Sequence, residues 1–245
     1  MSTSVARITR GDTMFEVSKL NSAYGDIQVL YDIDIHIEEG EIVALFGPNG
    51  HGKSTLLKAI SGVHPATNGS ILFKGEEISG TPTHKIVEMG IAYIPEERFL
   101  FPDMTVMENL NMGAYNLNAR KKIHENLEFV FEVFPRLAER KSQLCSTLSG
   151  GEARMVAIAR GLMCDASMLM VDEPSIGLSP GMKFAVFEAV EKVNREKNLT
   201  ILIVEQEIEH ALKMANRMYQ IKKGRILFER KADEIDVREI EKAYF

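Results

Sequence analysis

The sequence predicts an α/β fold, with a parallel sheet wrapped by helices and built around a phosphate-binding loop. Two observations carry that prediction. The run 41–46, apolar from Ile42 onward, leads directly into Gly47-Pro48-Asn49-Gly50-His51-Gly52-Lys53-Ser54 and on into Thr55-Leu56-Leu57-Lys58-Ala59-Ile60, which reads as strand, glycine loop, helix. Further along, Met168-Leu169-Met170-Val171 and Thr200-Ile201-Leu202-Ile203-Val204 flank a helical pattern over residues 182–194. Strand, helix and strand in succession make a parallel pair.

The other elements follow in order. Ile33, Ile35 and Ile37 alternate with Asp34 and His36, a half-buried strand that stops at Glu38-Glu39-Gly40 and makes the opening β-rich. Ser70-Ile71-Leu72-Phe73 and Ile91-Ala92-Tyr93-Ile94 are short apolar runs between turn residues and read as strands. From about residue 104 to 163 the spacing becomes helical, with Val106, Leu110 and Met112, then Leu127, Val130, Phe131 and Phe134. Lys223-Gly224 makes a tight turn between two short strands, and the tail reads as an amphipathic helix.

Bulk properties exclude several classes. At 245 residues, 45% hydrophobic and 26% charged, the chain fits one large domain, with no repeat or linker to divide it. A net charge of −6 argues against a nucleic-acid partner, which ordinarily requires a basic face. Cys145 and Cys164 form no C-x-x-C pair, so neither a disulfide framework nor a zinc site is expected. The N-terminal residues have no signal-peptide core, and no run of apolar residues is long enough to span a bilayer.

The loop carries the chemistry. Its glycines let backbone N–H groups turn inward around an anion at a helix N-terminus. Lys53 reaches the β- and γ-phosphates of a nucleoside triphosphate, and the Ser54 hydroxyl completes a magnesium shell. Asp172 and Glu173 follow four apolar residues, so the strand delivers two carboxylates beside the loop. Asp172 suits magnesium held through water and Glu173 the polarisation of an attacking water. Leu148-Ser149-Gly150-Gly151-Glu152 precedes a helix; Ser149 and Glu152 form a capping box, which leaves the two glycines for close approach to a phosphate.

A P-loop, then Leu-Ser-Gly-Gly-Glu, then an apolar run ending Asp172-Glu173-Pro174, resembles an ABC-type ATPase over nearly the whole chain. The resemblance implies a P-loop NTPase with a RecA-like parallel sheet core, an N-terminal antiparallel β subdomain and an inserted α-helical subdomain. It implies one domain over 1–245, with the core at about 1–97 and 165–245 and the helical part at about 98–164. ATP and Mg2+ are the implied ligands. Residues 47–55, including Thr55, would hold ATP, with Ser54, Glu96 and Asp172 at the metal. Tyr24 would stack on adenine, while Ser149, Gly150, Gly151 and Glu152 would touch ATP held by a second, head-to-tail ATPase subunit.

Ile94-Pro95-Glu96-Glu97-Arg98, residues 101–106, Glu108-Asn109-Leu110, residues 134–137 and 173–180, Val204-Glu205-Gln206 and Ala243-Tyr244 resemble more closely the ATPases of branched-chain amino-acid importers, the LivF type. That likeness implies a heterodimer with a LivG-like partner, a homodimer being the other option. It also implies membrane permeases, an external solute-binding protein reached indirectly, and a place on the cytoplasmic face of the membrane. The cargo would be branched-chain amino acids or a related small polar solute. A soluble ABC ATPase working in complex assembly is the alternative. Glu96 and Gln206 stand where the wider family carries Gln and His; Gln206 still donates a hydrogen bond to the γ-phosphate but gains no proton near neutral pH. His51, His36 and His210 read as surface or structural. Phe99, Leu100 and Phe101 read as core by default and, more sharply, as a groove for a permease helix, with Leu100 and Phe101 the pair to replace.

Overall fold

The computed structural model describes residues 13–206 and 208–235; the expected tail helix and the Ala243-Tyr244 pair lie outside them. The strands are β1 (Thr13–Tyr24), β2 (Ile27–Glu38), β3 (Ile42–Phe46), β4 (Asn68–Phe73), β5 (Glu76–Glu77), β6 (Ile91–Ile94), β7 (Met168–Asp172), β8 (Thr200–Glu205), β9 (Arg217–Lys222) and β10 (Arg225–Lys231). They form a four-stranded antiparallel sheet in the order β2-β1-β4-β5 and a six-stranded sheet in the order β10-β9-β3-β8-β7-β6. In the second sheet only the β9–β10 pair is antiparallel.

The six-stranded sheet is central because both its faces are covered. β3, β7 and β8 are buried at every position, which is why their sequences are continuous apolar runs rather than alternating ones. Within β3, Val43 and Leu45 pack with the antiparallel sheet, while Ile42, Ala44 and Phe46 pack into a second core shared with the helices. The antiparallel sheet keeps the alternation its sequence shows: Ile33, Ile35 and Ile37 are buried and Asp34 is exposed.

The helices are α1 (Lys53–Ile60), α2 (Thr83–Met89), α3 (Val106–Gly113), α4 (Leu117–Lys121), α5 (Ile123–Val133), α6 (Pro135–Glu139), α7 (Gly150–Leu162), α8 (Pro180–Lys197) and α9 (Ile208–Met214). Five of them, α3 to α7, fall between β6 and β7, where the helical spacing was read. Their ends are written in the sequence. Thr105 and Glu108 close a capping box on α3, and Ser149 and Glu152 another on α7. α8 extends past the expected residues 182–194 at both ends, from Pro180 in its first turn to a left-handed Asn198, each a favoured terminal residue. Lys223 and Gly224 join β9 to β10 with φ of 50° and 72°, the two positive values a tight two-residue hairpin requires.

Candidate functional site

β3 delivers the loop and α1 receives it. Gly47 leaves the sheet against β9, where an added Cβ would lie 2.2 Å from the Ile221 carbonyl oxygen. Gly52 caps α1 at φ 101°, a conformation that costs other residues strain. The first N–H groups of α1 have no intrahelical acceptor and face the turn as anion donors. Lys53 points back into the loop. It is 4% exposed, and its Nζ donates to the Gly47 and Pro48 carbonyls at 2.8 and 3.1 Å and to Asn49 Oδ1 at 3.4 Å.

The two carboxylates leave the end of β7 differently. Asp172 is 1% exposed; its Oδ2 accepts from the Tyr93 hydroxyl at 3.2 Å, and its Oδ1 has no partner. Burial raises its pKa, while the neighbouring Ser54 and Tyr93 hydroxyls pull it down. An orphaned carboxylate oxygen with the Ser54 hydroxyl beside it fits a hard divalent cation such as magnesium, which takes few carboxylates and completes its shell with phosphate and water. Glu173 adopts a left-handed φ of 44° and pairs with Lys53 at 3.3 Å through Oε1. Its Oε2 accepts from Gln206 Nε2 at the end of β8. Asn49, Gly50, Gly52, Lys53, Ser54, Thr55, Glu96 and Glu173 line a cleft of about 380 Å³, with Val29 and Ile176 at its apolar edge.

Residues 30–176 match the family described as ABC transporter. The chain belongs to that family. It is 43% identical to the high-affinity branched-chain amino acid transport ATP-binding protein BraG of Pseudomonas aeruginosa, over 87% of this chain and 91% of that protein. It is 37% identical to the probable branched-chain amino acid transport ATP-binding protein LivF of Archaeoglobus fulgidus, over 91% and 94%. Among solved structures it is similar to a dimeric ATP-binding cassette in a post-hydrolysis state bound to ADP and Pi, at TM-score 0.76 and 25% identity over 89% of this chain and 99% of that one.

Other expected site residues of this ABC transporter ATPase stand apart from the cleft. Ser149, Gly150, Gly151 and Glu152 begin α7 and do not line it. Gly151 also has a reason within the chain, since an added Cβ would come 2.4 Å from the Met182 methyl carbon. Tyr24 does not line the cleft either; its ring is 45% exposed at the end of β1 and stacks on His64 at 4.0 Å. Gly47, Pro48 and His51 belong to the loop without lining the cleft. His51 is half-buried rather than solvent-facing: burial lowers its pKa, Lys53 adds to that, and its carbonyl accepts from Gly224 N at 3.0 Å. His36 is structural, held between Arg217 and the Tyr219 hydroxyl, and His210 stacks on Phe187.

Sequence reading missed Tyr93, Arg154 and Glu205. Glu205 is 2% exposed and accepts from Ser175 N at 3.1 Å, Ser175 Oγ at 3.0 Å and Gln206 N at 3.3 Å. Burial pushes its pKa up to about 7, against those hydrogen bonds and with the Glu173 charge adding to the rise. A folded value above the free carboxylate value of 4.5 favours the protonated fold. The stability from this group is therefore complete below about pH 4.5 and lost as pH rises to about 7, an effect of about 3 kcal/mol. Urea unfolding at pH 5 and pH 8 should show the wild type losing about 2–3 kcal/mol more than Glu205→Gln across that interval. Equal losses in the two proteins would remove Glu205 as the titrating group.

Proposed function

We propose that this chain hydrolyses ATP to ADP and phosphate as the nucleotide-binding subunit of an importer, and that its cargo is branched-chain amino acids or a related small polar solute. The observation that carries the reading is the convergence of Lys53, Ser54, Glu96 and Glu173 on one cleft, with the unpartnered Asp172 oxygen next to Ser54. The loop N–H groups and Lys53 bind the β- and γ-phosphates. Ser54, Asp172 and Glu96 would hold Mg2+, which would spread the γ-phosphate charge when bound. Glu173 takes the proton of the water whose oxygen attacks the γ-phosphorus as the bond to the bridging oxygen breaks, and Gln206 orients that water and the γ-phosphate. Tyr24 stacks on the adenine. Ser149, Gly150, Gly151 and Glu152 face the ATP of a second cassette, a LivG-like partner or another copy of this chain, and the closure of that pair does the mechanical work.

Among the described residues no helix is long and apolar enough to cross a membrane. In the proposed reading the motion passes to separate permeases through a contact on the membrane's cytoplasmic face, as the likeness to transport ATP-binding proteins supports. The groove lined by Arg98, Phe99, Phe101, Met112, Tyr115 and Arg160 suits that contact. Phe99 is 66% exposed and Phe101 42%, whereas Leu100 packs partly against the core, so Phe99 and Phe101 replace Leu100 and Phe101 as the informative pair. Asn109 fixes the rim, accepting from Phe101 N and donating to its carbonyl, both at 3.0 Å. Changing Phe99 and Phe101 together to Asp should abolish solute uptake in proteoliposomes and leave basal ATPase activity within about twofold, since exposed positions contribute little to folding. Loss of both activities would return these residues to the core. The function itself is tested with the reconstituted transporter: leucine, isoleucine or valine on the loaded binding protein should stimulate ATP hydrolysis. The likeness to BraG supports transport over a role in complex assembly, and ATPase activity that no permease alters would reverse that preference.

A further inference from the structure

Arg154 is the largest fully buried side chain among the described residues, at 2% exposure, and it lies on α7 one turn beyond Ser149. Its Nη1 donates to the Pro95 carbonyl at 2.8 Å and the Glu96 carbonyl at 3.0 Å, and its Nη2 donates to the Asp172 carbonyl at 2.5 Å. Those acceptors lie just past the last paired residues of two neighbouring parallel strands, Ile94 of β6 and Val171 of β7. One planar guanidinium therefore spans the ends of both strands from a helix that belongs to neither. The same parts also approach closely at Gly150, where an added Cβ would come 3.3 Å from the Arg98 guanidinium.

No ion pair holds Arg154 among the described residues; carbonyl oxygens do. Burial is the largest influence on the guanidinium and lowers its pKa, while the charges of Asp172, Glu205 and Glu96 draw it back up. A buried cation held by backbone acceptors alone is costly to keep, and its geometric effect is to join three segments. The five fixed donors of arginine suit this task, because a lysine ammonium cannot present two parallel N–H groups to two separate loops.

We propose that Arg154 is a positioning residue that ties the Glu96 loop and the Asp172 end of β7 to the start of α7, so that the Glu96 carboxylate and the Ser149–Gly151 segment are placed as one unit. This deepens the reading of Glu96 as a magnesium ligand and rests on it. Arg154 touches neither nucleotide nor metal; it acts through Glu96.

The test is a cycle read by equilibrium binding of methylanthraniloyl-ATP to the full chain, titrated with MgCl2 and repeated in EDTA. Arg154→Met should raise the MgCl2 concentration for half-saturation about tenfold, with affinity in EDTA within about twofold of wild type, and Arg154→Lys should recover part of the loss. Glu96→Ala should raise the same midpoint, and adding Arg154→Met to it should raise the midpoint no further than about twofold. Should Arg154→Met fail to fold, Arg154→Lys is read in the same cycle. An unmoved midpoint, effects that add in the double variant, or an equal loss of affinity in EDTA overturns the proposal. A midpoint moved by Arg154→Met but not by Glu96→Ala also overturns it, while leaving the nucleotide site standing. A wild-type chain that binds no methylanthraniloyl-ATP at all would sink the nucleotide reading itself.

Discussion

Glu173→Gln should lower the ATP turnover number by about a hundred- to ten-thousand-fold and leave ATP affinity within a few-fold. The size follows from removing a positioned general base, and the selectivity follows from geometry. Glu173 is 5% exposed and fixed at a left-handed φ of 44° by its N–H, which donates to the Val204 carbonyl at 2.9 Å. Glutamine has nearly the same shape and keeps that backbone bond, so the cleft stays intact while proton acceptance and the charge that pairs with Lys53 are lost. In the structure both Glu173 oxygens are engaged, one by Lys53 and one by Gln206. On the proposed mechanism, phosphate would draw Lys53 away and free one of these oxygens for water. Single-turnover hydrolysis together with nucleotide binding measures the two effects separately. A turnover number within about tenfold of wild type would show that Glu173 is not the base.

The parts of this site that were legible in the sequence are those fixed by short-range rules. The glycine loop declares itself because a strand, four set positions and a helix must be contiguous, and Asp172 and Glu173 because a carboxylate pair ends an apolar run. The same signal was available for Glu205 and went unused: β8 ends Val204-Glu205-Gln206 as β7 ends Val171-Asp172-Glu173, and adjacent parallel strands bring both ends to one edge of the sheet. Tyr93 was visible only as a polar tip inside an apolar strand. Arg154 could not be found by periodicity. On α7 it occupies an ordinary helical position, and its role depends on β6 and β7 ending at the same level, a property of strand register between segments more than 70 residues apart. The fold was more legible than the site for that reason. Strands, turns and caps are local, whereas the Lys53–Glu173 pair, 120 positions apart in sequence, forms only when β3 and β7 flank β8.

Lys53→Ala should weaken ATP binding by about a hundred- to ten-thousand-fold and leave AMP binding nearly unchanged. In the proposed mechanism the ammonium makes two or more charge-assisted bonds to β- and γ-phosphate oxygens, each worth about 1.5–3 kcal/mol, and AMP lacks both groups. The free protein bears the change as well. With the amine gone, the Gly47 and Pro48 carbonyls and Asn49 Oδ1 lose their donor, and the buried Glu173 carboxylate loses its cation. An uncompensated carboxylate at that depth should cost about 1–3 kcal/mol of folding stability. Adding Glu173→Gln to Lys53→Ala removes the stranded charge, so the double variant should be more stable than Lys53→Ala alone while binding ATP no better. Urea unfolding and titration with ATP and AMP test this. Equal losses for ATP and AMP would mean that Lys53 shapes the loop and does not bind the outer phosphates; a double variant no more stable than the single would mean that its pairing with Glu173 contributes nothing to the resting fold. The two readouts separate the pairing of Lys53 with Glu173, which the structure shows, from the contact with phosphate, which belongs to the proposed mechanism.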